Sequence, residues 1–195
     1  MEKLSLEQGE KAVRYGRSCL KEFFGTGSKV SADESFFELE RGVFSTLKEN
    51  GELKGCIGFP LPEYSLKEGI DISVVHAASK DPRFPGLDSS DVENVCLELS
   101  VLTKPTDVEF NSLDELVSSV DVGRHGLIVS SGFKTGLLLP QVAVDNSWSA
   151  EEFLSAVCTK AGLDEDAWRE RTLTFKTFEA QVFEERSPGG DVVEK

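Results

Sequence analysis

The chain has 195 residues, 39% of them apolar and thirteen of them phenylalanine, enough to bury one hydrophobic core or two closely packed lobes. A formal charge of −14 repels nucleic-acid backbones and anionic membranes. Cys19, Cys56, Cys96 and Cys158 have neither metal-ligand nor disulfide-framework spacing. Reduced thiols in a cytoplasm are therefore expected, with no cofactor, no metal, no signal peptide and no membrane span.

The first predicted element is a helix over 6–24. Ser5-Leu6-Glu7-Gln8 has the spacing of a capping box, and Val13, Gly16, Leu20 and Phe23 follow a helical period. Two β-rich runs come next, around Lys48-Glu49-Asn50-Gly51-Glu52, whose Asn-Gly pair is a tight-turn signal, so Gly42–Phe59 is predicted as a hairpin. Ser65 opens a helix over 66–79, and Pro82 forbids its continuation. Val95, Leu97, Leu99 and Val101 alternate with polar residues as a strand with one buried face does.

The second half repeats this order. Ser112 caps a short helix over 113–119, and His125–Val144 reads as a hairpin turning in Ser131–Gly136. Ser149 caps a helix over 150–161, with a further helical turn near Asp164–Trp168, before a last strand in Arg171–Glu185. Residues Ser187–Lys195 carry no pattern and are expected to be unstructured. Two ββαβ units in succession predict an α+β protein.

Strand alternation places Leu53, Gly55, Ile57 and Phe59 on the core face, and Lys54, Cys56 and Gly58 on the other. A lysine beside a thiol raises its thiolate fraction, which suits a nucleophile. The structural alternative is that Gly55 and Gly58 admit close backbone approach, with Cys56 a small buried side chain. A nucleophile needs a base, and the histidines are His76 and His125. His76 falls at the boundary of a helix's buried face, a structural position, whereas His125, beside Arg124 at the mouth of a strand, is a functional candidate or a turn residue. In Lys80–Asp88, Phe84 is expected to pin the loop to the core. Arg83 presents a fork suited to a carboxylate of the protein or of a ligand. Acidic pairs such as Asp164/Asp166 and Glu184/Glu185 receive no role, and no phosphate-binding glycine motif occurs.

Taken together and in order, LKGCIGF, AASKDPRFPGL, LELSVL, GRHGLIV, LLLPQVAVDNSW and FLSAVCTKAGL resemble the AMMECR family over about 35–185. The resemblance implies an α+β fold with a barrel-like, mostly antiparallel sheet from two ββαβ-like repeats flanked by helices. It implies an intracellular protein with one domain over 1–187, sub-lobes at about 1–104 and 105–187, and a flexible tail over 188–195. It also implies association with a Memo-like or radical-SAM-like protein. The matching positions are Lys54, where the family usually has arginine, and Gly55, Cys56, Ile57, Gly58, Asp81, Arg83, Phe84, His125, Gly126, Pro140 and Gln141. Two functions follow as expectations. One is a cleft lined by Lys54, Gly55, Gly58, Asp81, Arg83, Phe84 and Gln141 that receives a small ligand or a protein partner. The other is a cysteine-dependent enzyme with Cys56 as nucleophile and His125 as base.

Overall fold

The computed structural model describes residues 3–170 and 172–195. These form two compact units, one containing the chain up to Lys104 together with Gln181–Lys195, the other Pro105–Ala180. The class is α+β, with antiparallel strand pairing in both units.

In the first unit helix α1 (Leu6–Phe23) starts as its sequence dictates: the Ser5 hydroxyl accepts the Gln8 N–H, and the Gln8 side chain accepts the Ser5 N–H. Strands β1 (Val43–Glu49) and β2 (Glu52–Phe59) make the expected hairpin, with Asn50 and Gly51 both at positive φ, as a two-residue turn of matching twist requires. Helix α2 (Leu66–Ser79) and strand β3 (Val95–Leu102) complete the repeat, in the strand order β2-β1-β3. Leu47, Ile70, Val74, Leu97 and Leu99 are fully buried between sheet and helices. Each such side chain contributes about 1.5–3 kcal/mol.

A buried ion pair ties α1 to the sheet. Arg17 on α1 is bonded through Nε and Nη2 to Glu185, Arg17 also donates to the carbonyls of Val92 and Val95, and Glu185 accepts the Leu97 N–H. Both side chains are satisfied, as burial of charge demands.

The second unit contains β4 (Thr106–Asp107), α3 (Leu113–Ser119), β5 (His125–Ser131), β6 (Lys134–Leu138), α4 (Pro140–Asp145) and α5 (Ala150–Lys160). The long strand β7 (Thr174–Glu185) supplies its Thr174–Ala180 stretch here and its remainder to the first unit. The last strand is expected from Arg171, which lies outside the described residues. Leu127, Val129, Phe153, Val157, Trp168 and Phe175 form this unit's core, and Trp168 Nε1 donates to Ser155 Oγ at 2.9 Å.

Both units thus show the hairpin–helix–strand order. They also share a packing device. A Cβ on Gly55 of β2 would lie 1.9 Å from the Ala77 carbonyl oxygen of α2, and one on Gly136 of β6 would lie 2.5 Å from the Val157 carbonyl oxygen of α5. In each repeat a glycine in the second strand of the hairpin lets a following helix, α2 or α5, lie directly on the strand.

The structure corrects three expectations. Residues 188–195 are not an unstructured tail: Val192–Glu194 form strand β8 on Phe183–Glu185, with Val192 buried. Three residues, Val-Val-Glu, are too short a run to announce a strand. A β-bulge separates Leu47↔Gly55 from Lys48↔Leu53 and makes Lys54 the extra residue, so Leu53 shares the face of Cys56 and Gly58 and is exposed. Helix α4, begun by Pro140 at its first turn, takes the place of the end of the expected His125–Val144 hairpin. No helix among the described residues is long and apolar enough to cross a membrane.

Candidate functional site at the edge of β2

Strand β2 ends the strand order of its sheet, so among the described residues one of its edges faces no other strand. The β1–β2 register sets Cys56 opposite Thr46, and the Cys56 main chain points outward from that edge. Its N–H donates to Asp81 Oδ2 at 2.9 Å, and its carbonyl oxygen accepts from Arg83 Nη2 at 3.2 Å.

Local sequence brings these side chains there. Helix α2 is capped by Lys80, whose N–H donates to the His76 carbonyl, and Pro82 prevents a further turn. The chain folds back through Gly86 at φ +84° so that the Leu87 N–H reaches the Ala78 carbonyl at 2.8 Å and Leu87 packs on the core. Leu87, not Phe84, therefore anchors the loop. Half-buried Phe84 lies 5.4 Å from the Arg83 guanidinium, as a cation–π platform.

Asp81 organises the cluster. Only 4% of it is exposed, and its two oxygens accept four N–H groups: from Cys56, from the Arg83 main chain at 3.1 Å, from Arg83 Nε at 2.9 Å and from Arg83 Nη2 at 2.7 Å. The Arg83 side chain and these main-chain donors outweigh burial, and hold the carboxyl far below its ordinary value of 3.8. The Arg83 side chain is 56% exposed even so. The site presents a fixed guanidinium to solvent, with its charge balanced from beneath.

The Cys56 thiol is half-buried and accepts from Thr46 Oγ1 at 3.3 Å. Lys54 does not serve it. Lys54 turns to Glu49 at 3.0 Å, with Glu52 at 3.9 Å, and Glu49 raises its pKa. The bulge removes Lys54 from the alternation that paired it with Cys56. Gly58 is a close-approach residue, since a Cβ there would lie 2.3 Å from the Val43 carbonyl oxygen. Cys56, Asp81, Arg83 and Phe84 are thus brought together, with Gly55 and Gly58 as packing supports and Lys54 engaged elsewhere. Thr46 is the member that sequence reasoning missed, because its place opposite Cys56 depends on the bulge.

His125 and Gln141 belong to the second unit. His125 heads β5, its N–H donates to the Asp121 carbonyl at 2.8 Å, and its Nδ1 accepts the Asp121 N–H at 3.1 Å. With Nδ1 so used, the neutral ring carries its hydrogen on Nε2 and presents a donor. Arg124 pairs with buried Glu179 at 2.9 Å, and Glu179 stands opposite His125 across β7. Gln141 is exposed on α4. His76 is half-buried on α2: its Nε2 lies 3.1 Å from Lys80 Nζ, and burial and that charge lower its pKa.

A separate recess of about 440 Å³ in the second unit is lined by Trp148, Glu151, Ser155, Asp166 and Arg169, none of them an expected site residue. Its arginine is committed to Asp166 at 3.1 Å and lies over the Trp168 ring at 4.2 Å. Among the described residues, no group of three or more His, Cys, Asp or Glu side chains is placed to hold a metal ion.

Comparison with known proteins agrees with the sequence motifs. The family model described as AMMECR1 matches residues 13–183. Protein MK0488 of Methanopyrus kandleri is 45% identical over 199 residues, covering 100% of this chain and 96% of that protein. A protein of Methanosarcina mazei is 42% identical, with 98% of each chain covered. Among solved structures, uncharacterized protein PH0010 from Pyrococcus horikoshii is similar, with a TM-score of 0.82, 38% identity and 97% of each chain covered.

Proposed function

We propose that this chain, which belongs to the AMMECR1 family, is a binding protein whose recognition site is the edge of β2 with the Asp81–Arg83 loop. The observation that carries this reading is the Arg83 guanidinium, fixed by a nearly inaccessible carboxylate yet more than half exposed. A surface arginine serving stability alone gains little from such a mount, because exposed ion pairs contribute about 0–1 kcal/mol. Fixing the fork in advance removes the ordering cost that a mobile arginine pays on binding.

The ligand is a small molecule or, as the family resemblance suggests, a Memo-like or radical-SAM-like protein. The test is titration of purified Memo-like protein into the wild type, Arg83→Ala and Arg83→Lys by calorimetry. Retained binding by all three forms counts against the site. Loss in both variants with unchanged folding supports it, since lysine keeps the charge and loses the fork.

A second reading keeps Cys56 as a nucleophile, and one observation favours it: the Cys56 thiol is only half-buried in a cluster facing solvent. Alkylation rates of the four thiols against pH decide it. A Cys56 no faster than Cys96 at neutral pH ends the enzyme reading.

A further inference from the structure

Main-chain groups on a free strand edge are ordinarily satisfied by another strand, by water or by a covering element. At Cys56 two side chains stand where a strand would: Asp81 Oδ2 accepts the N–H, and Arg83 Nη2 donates to the carbonyl. Antiparallel alternation turns Ile57 toward β1 and Gly58, like Cys56, outward. Among the described residues the outward N–H and carbonyl of Gly58 have no such partner. Pro60, which has no N–H, closes the edge beyond. One residue's pair of main-chain groups is therefore open, and its neighbour along the edge is the position that Arg83 fills. Arg83 has donors to spare. Asp81 takes Nε and Nη2, the Cys56 carbonyl takes Nη2 as well, and among the described residues neither N–H of Nη1 meets a protein acceptor. The loop is also locally positive. Exposed Lys80 has His76 as its neighbour, uncharged at pH 7 because its pKa is lowered, so two cations face the single carboxylate of Asp81, whose oxygens are both filled.

We propose that Gly58 and Arg83 together bind the C-terminal carboxylate of a partner polypeptide laid antiparallel along the outer edge of β2. The inference rests on the binding reading above and names the group that the fixed guanidinium holds. A chain antiparallel to β2 runs from Gly58 toward Cys56, where Asp81 and Arg83 already occupy the next pairing position. It therefore has to end opposite Gly58. There its last N–H donates to the Gly58 carbonyl, one oxygen of its terminal carboxylate accepts the Gly58 N–H, and the other accepts from Arg83 Nη1. The singly charged carboxylate matches the one cation of the loop that Asp81 leaves unbalanced. A terminal amide would set an NH2 group against the guanidinium, and a side-chain carboxylate has no main-chain N–H at this spacing.

The probes are acetyl-Ser-Val-Ser-Val with a free C-terminus, its C-terminal amide, and an ester analogue in which oxygen replaces the last N–H. Acetyl-valine stands for a small acid, and acetyl-Ser-Glu-Ser-Val-amide for a side-chain carboxylate. Amide shifts in an NMR titration give each affinity, and hydrogen exchange is followed at Gly58. The expected result is that the free acid binds about tenfold more tightly than the amide and about fivefold more tightly than the ester, and slows exchange at Gly58. In Arg83→Ala the preference for acid over amide is lost. Equal binding of acid and amide by the wild type, or unchanged Gly58 exchange at saturation, overturns the inference. Acetyl-valine or the glutamate peptide binding as tightly as the free acid overturns the assignment to a chain end. The recognition site still stands after such a failure if the Arg83 variants lose the Memo-like protein, and it falls with the inference if they keep it.

Discussion

Replacing Asp81 with asparagine perturbs the cluster at its centre while keeping its shape. Aspartate accepts four N–H groups, two on each oxygen. Asparagine has one oxygen, so whichever way the amide turns, two donors face an NH2 group. Leaving the Cys56 amide or its Arg83 counterparts unsatisfied costs about 1–3 kcal/mol. The lost ion pair adds about 0–1 kcal/mol, because the guanidinium is more than half exposed. Urea unfolding of both proteins at pH 7 measures this gap. The gap also depends on pH with a defined sign. A carboxyl held below its ordinary value of 3.8 contributes stability that is complete well above that value and is lost as pH falls through the folded pKa. By pH 3 the wild type should have surrendered about 1 kcal/mol of its advantage over Asp81→Asn, because the unfolded carboxyl, with a pKa of 3.8, is by then mostly protonated while the folded one is not. A pH 7 gap below about 0.5 kcal/mol, under the low end of one unmet hydrogen bond, or a gap identical at pH 7 and pH 3, would refute the reasoning.

Gly55→Ala sets a methyl group 1.9 Å from the Ala77 carbonyl oxygen, and because the obstacle is backbone, it should cost about 1–3 kcal/mol or more in chemical denaturation. Arg17→Met leaves Glu185 buried and uncompensated, so a loss of about 3–5 kcal/mol is expected, and adding Glu185→Leu should recover much of it. Native-state alkylation followed by mass spectrometry should label Cys56 and Cys96 at pH 8. Cys19 and Cys158 should label only after denaturant, since burial pushes their thiols up to about 12 and about 11.

Much of the fold is local chemistry and was legible. The serines at 5, 65, 112 and 149 each accept an N–H from the first turn of a helix, where the capping pattern predicts one. Asn50-Gly51 fixed the first hairpin, and the alternation from Val95 to Val101 is a buried strand face. What escaped depends on contacts remote in sequence. A two-residue turn alone would set Cys56 opposite Ser45, and the bulge instead sets it opposite Thr46 and leaves Lys54 to Glu49. Nothing local in Glu-Leu-Lys-Gly announces that extra residue. Strand β8 exists because Phe183–Glu185 offers it an edge, which no property of Val-Val-Glu reveals. For the site, the motif residues around Cys56 and in Asp-Pro-Arg-Phe, which are remote in sequence, lie together in the fold. The role of Asp81, holding an arginine and the edge of a strand at once, needed the return of the loop onto β2.

The most direct measurement is hydrogen exchange at the Cys56 amide by NMR. That amide lies on the outer edge of β2, which among the described residues has no neighbouring strand, and Asp81 is its partner. Protection in the wild type comparable to amides inside the β1–β2 ladder, lost selectively in Asp81→Ala while the ladder stays protected, is the expected result. A Cys56 amide that exchanges in the wild type as fast as that of Gly58 would contradict the preorganised site.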